Sequence, residues 1–331
     1  MVIGTYGRGI WILDDITPLQ QLNQKIAGAT AHLFAPRPAW RFRPVTSNMQ
    51  FFPEPSFGQD PAYAASINYW LKEKNDSVKI HIVDSTGDTV RTLKHKGKSG
   101  INRVMWDLKG EKNEAFVMRT KPLYADWLPL TTKRKVHPFA APFSILLAPG
   151  NYQVHLEATG QSLVQSLEIK KDPHSEGSVA DIQAQIALMK DLEQDRNSVV
   201  KMVNEIELLR RQFLDLKTTL KALKKPKALI EATEKIDTSL LNIEEQLIQL
   251  RYTGTGQDEV RYPVKLAERI SYLASTVATA DFAPADPHRE VAKVLKERLS
   301  KVQQEYTGFK ETELKTFTKM LNDKDIGLIV R

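Results

Sequence analysis

The sequence predicts a multidomain protein of β plus α class: a hairpin at the N-terminus, an immunoglobulin-like β-sandwich, then an antiparallel helical bundle. Three observations carry this. Between residues 66 and 172 apolar and polar residues alternate along short runs, the period of half-buried strands. From Ser178 onward the apolar residues recur every three or four positions, the period of one helix face. The chain opens on two short apolar runs, Val2 to Thr5 and Ile10 to Leu13, joined by the turn chemistry of Gly7-Arg8-Gly9.

Two short strands cannot bury a face by themselves, so residues 1–22 read as a hairpin that needs neighbours. Residues 23–65 are rich in proline and aromatics, as in LFAPRPAWRFRPV and FFPEPSFGQDPAY. Proline fixes φ and removes donors, so this stretch reads as an extended linker whose Phe34, Trp40, Phe42, Phe51 and Phe52 cover a neighbouring surface.

Regular strands follow over 66–172. In SVKIHIVDSTGDTVRTL, Val78, Ile80 and Ile82 share one face, Lys79 and His81 the other, and Ser85 to Asp88 supply a turn. INYWL, GINRVMWDL and FSILLAPGNYQVHLEATGQSLVQSLEIKKD add further strands, with Tyr152, Val154 and Leu156 facing inward and turns at Pro149-Gly150-Asn151 and Gly160-Gln161. Roughly seven short strands over roughly 105 residues indicate two sheets burying each other's alternating faces. The insertion 109–142 is too long for a turn; it is either functional or packed against another domain.

A four-helix bundle is expected over 178–325. Ser178 and Asp181 have capping-box spacing. The series Val199, Val203, Ile206, Leu209, Phe213, Leu216, Leu220, Leu223 keeps one stripe along a helix ending near residue 223, before Lys225-Pro226. A second helix carries Leu229, Ile236, Leu240, Ile243, Leu247 and Leu250 and stops at Thr253-Gly-Thr-Gly256. A third opens at Tyr262-Pro263, with proline at the first helical position, and a fourth near Pro287. Short connections make neighbours antiparallel.

Composition excludes several function classes. The net charge is +7, but it divides into 22 basic against 16 acidic residues in 1–177 and 25 against 24 in 178–331. Neither half holds a basic stripe, and the cluster Lys133-Arg134-Lys135 reads as a solvated loop, so no nucleic-acid interface is assigned. The absence of cysteine excludes disulfides, thiolate metal sites and cysteine nucleophiles. No apolar run reaches the roughly 20 residues that span a bilayer, and the start lacks the features of a signal peptide. Asp14-Asp15 is a carboxylate pair, but neighbours on a strand point to opposite faces and cannot both address one glycosidic bond. The seven histidines lack metal-ligand spacing, and no nucleophile elbow or phosphate loop occurs. No catalytic residue, metal or cofactor is therefore assigned. The binding candidates are Arg8, a guanidinium presented between two glycines, and Tyr124, Trp127 and Phe139, aromatics of the insertion suited to stacking on sugar rings.

IGTYGRGIWILDDITPLQQL resembles the end of the last blade in large secreted bacterial β-propeller proteins of the sortilin-like, Asp-box (BNR) repeat kind, often labelled glycosyl hydrolase. GQDPAYAASINYWLKE, GINRVMWDLKG, LAPGNYQVHL and KDPHSEGSVADIQAQIALMKDL resemble the sandwich and helix-entry segments that follow the propeller. GQDEVRYPVKLAERISYL resembles the entry of the third helix. The resemblance runs through nearly the whole chain in the family's order, except that Tyr6 stands where the family pattern has His. It implies that Val2 to Leu13 is a remnant of a blade whose other strands, and the propeller itself, lie outside this chain. It further implies an exported parent, secreted or periplasmic, with this chain as a non-catalytic accessory region that supports the propeller and binds a protein partner or glycan. The alternative is part of a glycosyl hydrolase-like enzyme whose active site lies on the propeller.

Overall fold

The computed structural model describes residues 1–43, 62–130, 134–324 and 326. Phe51 and Phe52, and Lys133 of the basic cluster, lie outside the described residues. The chain has mixed α and β content and divides into two compact units. The first comprises Met1–Glu111, Ser144–Ile186 and Ala280–Ala283; the second comprises Lys112–Phe143, Ala187–Thr279 and Pro284–Arg331.

In the first unit β1 (Val2–Gly4) and β2 (Ile10–Ile12) pair, among the described residues, only with each other. Two single-turn helices follow, α1 (Thr17–Gln21) and α2 (Gln24–Gly28), the second capped by the Asn23 side chain, which accepts from the Ile26 amide. Then come β3 (Ala31–Leu33), β4 (Ala39–Arg41), β5 (Ala65–Leu71), β6 (Asn75–Val83), β7 (Thr89–Gly97), β8 (Gly100–Trp106), β9 (Gly150–Ala158) and β10 (Gln161–Lys171). One sheet runs β3-β5-β8 and the other β4-β10-β9-β6-β7, with β4 parallel to β10 and every other pair antiparallel. Ile67, Tyr69, Leu71 and Trp106 from the first sheet share one core with Val78, Ile80, Ile82, Val154, Leu156 and Ile169 from the second, so the period-two faces are those expected from the sequence.

Two strand expectations are corrected. Residues 23–65 are not simply an extended linker, because β3 and β4 join the sheets. The signal was hidden at β4, where the inward-facing residue is Arg41. It is fully buried, its Nε donates to the Leu147 carbonyl, and its Nη1 lies 2.5 Å from Asp281 Oδ1. An arginine at an interior position makes the alternation read as polar. Conversely FSILL contributes no strand; Leu146 makes one isolated bridge with Lys109.

The turn joining β9 to β10 places Thr159 at φ +51° and Gly160 at φ +75°. Positive φ at both positions is the type I′ geometry that matches strand twist, for which Asn-Gly is favoured over a β-branched residue. Thr159→Asn is expected to stabilise the fold by about 0.5–1 kcal/mol, read as a higher urea midpoint at unchanged slope. Gly177 is a case of close approach. A Cβ there would lie 1.7 Å from the Asp281 carbonyl oxygen, so Gly177→Ala is expected to cost about 2–3 kcal/mol by the same measurement.

Helix α3 (Val179–Ala222) starts where expected: the Ser178 amide and hydroxyl donate to Asp181, and the Asp181 amide donates to Ser178 Oγ. Beyond it the second unit holds α4 (Lys227–Leu247), α5 (Asp258–Arg261), α6 (Leu266–Val277) and α7 (Asp286–Phe309). A π-turn (Lys310–Leu314) leads on to α8 (Lys315–Asn322). Three details depart from expectation. Helix α4 ends at Leu247 rather than near residue 253. Helix α6 begins three residues past Pro263, where Glu268 turns back to accept from the Lys265 amide, so the cap and not the proline starts the helix. Along α3, Leu209 and Leu216 are only partly buried and Leu223 is exposed, while Glu207 and Arg210 are buried. Phe213 and Leu220 of the same stripe stay buried to the end of the helix.

The insertion belongs to the second unit and lies along α3, where side chains replace strand partners. Asn197 accepts from the Glu114 amide at 3.2 Å, Asn204 from Val117 at 2.7 Å, and Glu207 from the Arg119 and Thr120 amides. Glu207 also accepts from the Thr120 hydroxyl at 2.7 Å. Arg134, read from the sequence as part of a solvated cluster, is instead buried 3.8 Å from Glu207, its Nη1 and Nη2 bonded to the Thr120 and Leu250 carbonyls. Arg210 binds Glu244 at 2.8 Å and Asp237 at 3.1 Å within the same cluster.

Candidate functional site

Each of the four sequence-derived binding residues has its own surroundings. Arg8 is the tip of the β1–β2 turn, between Gly7 (φ +73°) and Gly9 (φ +82°), and is exposed. Tyr124 packs against the Arg251 guanidinium, 5.0 Å from the ring centre, and lines a hollow of about 360 Å³ with Asp126, Arg210 and Arg211. Phe139 packs on Tyr272 and His137 beside α6. Trp127 is 77 % exposed and lines no part of the Tyr124 hollow. No ring contact joins any two of Tyr124, Trp127 and Phe139 among the described residues.

A larger cleft, of about 600 Å³, lies in the first unit. Its wall comes from β4. Ala39 and Arg41 face the core, which turns Trp40 and Phe42 outward; they remain 47 % and 40 % exposed. Tyr63 holds this wall in place: its hydroxyl accepts from the Phe42 amide at 3.0 Å, and its ring meets Phe42 edge-to-face at 4.4 Å. Burial pushes the Tyr63 hydroxyl above its usual range, so it stays protonated. Lys170, opposite Trp40 across the sheet, lies 5.8 Å from the indole ring. Met105 of β8 adds apolar surface.

The polar side of the cleft is built by Asp14, Asp15, Arg37, Ser66 and Arg103. Asp14 is exposed and Asp15 buried, so adjacent carboxylates do face different surroundings. Asp15 accepts from the Thr17 amide at 3.0 Å and from Asn68 Nδ2 at 3.1 Å. Burial alone would raise its pKa, but the hydrogen bonds from Thr17, Ser66 and Asn68 outweigh burial and hold it below the usual carboxylate range. Arg103 is fixed by Nε to Asn68 Oδ1 and Nη2 to the Asp15 carbonyl, both at 2.8 Å. Arg37 Nη1 donates to the Asp14 carbonyl at 3.2 Å. Asp15 and Arg103 are thus used to hold β5, β8 and the start of α1 together, while Asp14 and Arg37 stay at the exposed edge.

Sequence reasoning identified Trp40 and Phe42 only as linker aromatics and did not connect them with Tyr63 or Arg103. The available signal was the A-W-R-F alternation at residues 39–42, with Arg41 on the interior side. A second hollow of about 400 Å³, lined by Trp40, Phe42, Asp172, Pro173 and His174, shares the same two rings. Among the described residues no group of three or more acidic or histidine side chains is placed to hold a metal ion, and no helix is long and apolar enough to cross a membrane. Set against models of protein families, curated proteins and solved structures, the chain matches none.

Proposed function

We propose that this chain is a non-catalytic accessory and interaction region of an exported β-propeller protein of the sortilin-like, Asp-box repeat kind. In this reading the two-sheet unit is an immunoglobulin-like sandwich and the helical unit an antiparallel bundle. The region supports the propeller and binds a protein or glycan. The motifs quoted above support the family reading, and one structural observation carries the functional one. Strands β1 and β2 form a two-stranded ribbon whose Val2, Ile3, Ile10, Trp11 and Ile12 are each at least 47 % exposed, with apolar residues on both faces. Such a ribbon is marginal in water by itself, and exposed apolar strands with open edges are pairing surfaces. A propeller blade supplies both missing edges and both covering faces.

The test is amide hydrogen exchange over Val2–Ile12, in this chain and in a longer form carrying whatever reading frame lies upstream of the Met1 codon. The expected result is that the upstream frame encodes blade repeats and that exchange slows at least a hundredfold in the longer form. Upstream sequence without blade repeats, or equal protection in both forms, would overturn the proposal.

A further inference from the structure

We infer that the Trp40–Phe42 cleft is a binding site for a neutral oligosaccharide. This deepens the reading of the chain as a binding region and rests on it; it names a site and a ligand class that the sequence had placed elsewhere, at Tyr124, Trp127 and Phe139. Four features of the cleft lead there.

The first is a rigid aromatic platform. Trp40 sits on a paired strand and Phe42, the residue just past its end, is locked by Tyr63, so little side-chain freedom remains to be lost when a ring stacks on them. The second is charge balance. The lining contains two arginines and two aspartates, and one of each, Arg103 and Asp15, is already engaged with the other's neighbourhood. Lys170 against Trp40 and Asp172 in the adjoining hollow add one charge of each sign, so the surface carries no net formal charge and does not favour an anion or a cation, whereas a neutral polyol meets both signs of polar group.

The third feature is the pairing of donor and acceptor at the edge. Among the described residues Arg37 makes one hydrogen bond, to the Asp14 carbonyl, and the exposed Asp14 carboxylate, a strong acceptor, lines the same cleft. A fork-shaped donor next to a carboxylate suits adjacent hydroxyl groups, each of which donates and accepts. The fourth is extent. Trp40 and Phe42 line both the 600 Å³ cleft and the 400 Å³ hollow beside Asp172 and His174, so a ligand of several linked rings has surface on either side of them.

Titration calorimetry on the whole chain tests this, using cellohexaose, xylohexaose, mannohexaose and chitohexaose as neutral probes and a galacturonate hexamer as the charged one. At least one neutral hexasaccharide is expected to bind with a Kd below about 1 mM, and the galacturonate hexamer more weakly. Trp40→Leu is expected to weaken that binding at least tenfold and Trp40→Phe to restore part of it. Trp127→Ala is expected to leave it unchanged. Trp40 faces outward, so circular dichroism of both Trp40 variants should match the parent. Tightest binding by the galacturonate hexamer would overturn the ligand class, and loss of binding in Trp127→Ala but not in Trp40→Leu would overturn the site. No binding of any hexasaccharide would overturn the inference outright. None of these outcomes bears on hairpin protection, so the propeller reading stands or falls separately.

Discussion

Replacing Glu244 with glutamine is expected to remove a large alkaline loss of stability from the helical unit. Glu244 is fully buried on α4. Its Oε2 accepts from Arg210 at 2.8 Å, and its Oε1 is buried with no hydrogen-bond partner among the described residues. The surrounding charges indicate which form is present. Glu207 and Asp237 are balanced by Arg134 and Arg210, so the cluster is neutral only when Glu244 is protonated. Burial, with Glu207 adding to it, raises the Glu244 pKa from 4.5 to about 8. Between those two values the folded chain keeps a proton that the unfolded chain has lost. Stability is therefore full below the unfolded pKa and falls as pH rises toward 8, by a total on the order of 4 kcal/mol.

Glutamine at 244 keeps an acceptor for Arg210 without a titrating group. Urea denaturation followed by helical circular dichroism at pH 5, 7 and 9 should show the parent losing stability steadily while Glu244→Gln stays level within about 1 kcal/mol. Equal slopes against pH in the two proteins would show that Glu244 is ionised throughout. Glu244→Ala should be the worst variant at every pH, because it leaves Arg210 short of a buried partner.

The second large effect is expected at Asp281. Its side chain is nearly inaccessible, 2.5 Å from the fully buried Arg41 and 2.7 Å from Arg43 Nε. Removing one partner of a buried pair leaves an uncompensated charge, so Asp281→Ala should cost about 3–5 kcal/mol. Asp281→Asn, which keeps an acceptor, should cost less. Burial alone would raise the Asp281 pKa, but Arg41 and Arg43 outweigh it and hold the carboxyl below its usual range. The resulting stability is present above the unfolded carboxylate pKa and is lost as pH falls through the lower folded value. A denaturation series from pH 7 to pH 3 should therefore show a steeper acid limb in the parent than in Asp281→Asn. Identical limbs would show that the pair is unimportant for folding.

Local periodicity was legible in the sequence because it needs only near neighbours. The inward faces of β6 and β9, the turn at Ser85 to Asp88, the Ser178 cap and the stop before Pro226 follow from residue order alone. The aromatic cleft was not legible, since its wall, its tyrosine clamp and its arginine come from residues 40, 63 and 103, and no short-range pattern links them.

What the sequence determined by itself is the succession of a hairpin, period-two strands and period-3.6 helices, because those periods follow from backbone geometry. Tertiary structure alone decided which charges go inside. Arg134 read as part of a solvated cluster, and no sequence pattern marked Arg41, Arg196, Glu207, Arg210 or Glu244 as interior, yet each of these side chains is buried. A charge leaves water only where a partner from a distant segment receives it, and that partner exists only once the chain has folded.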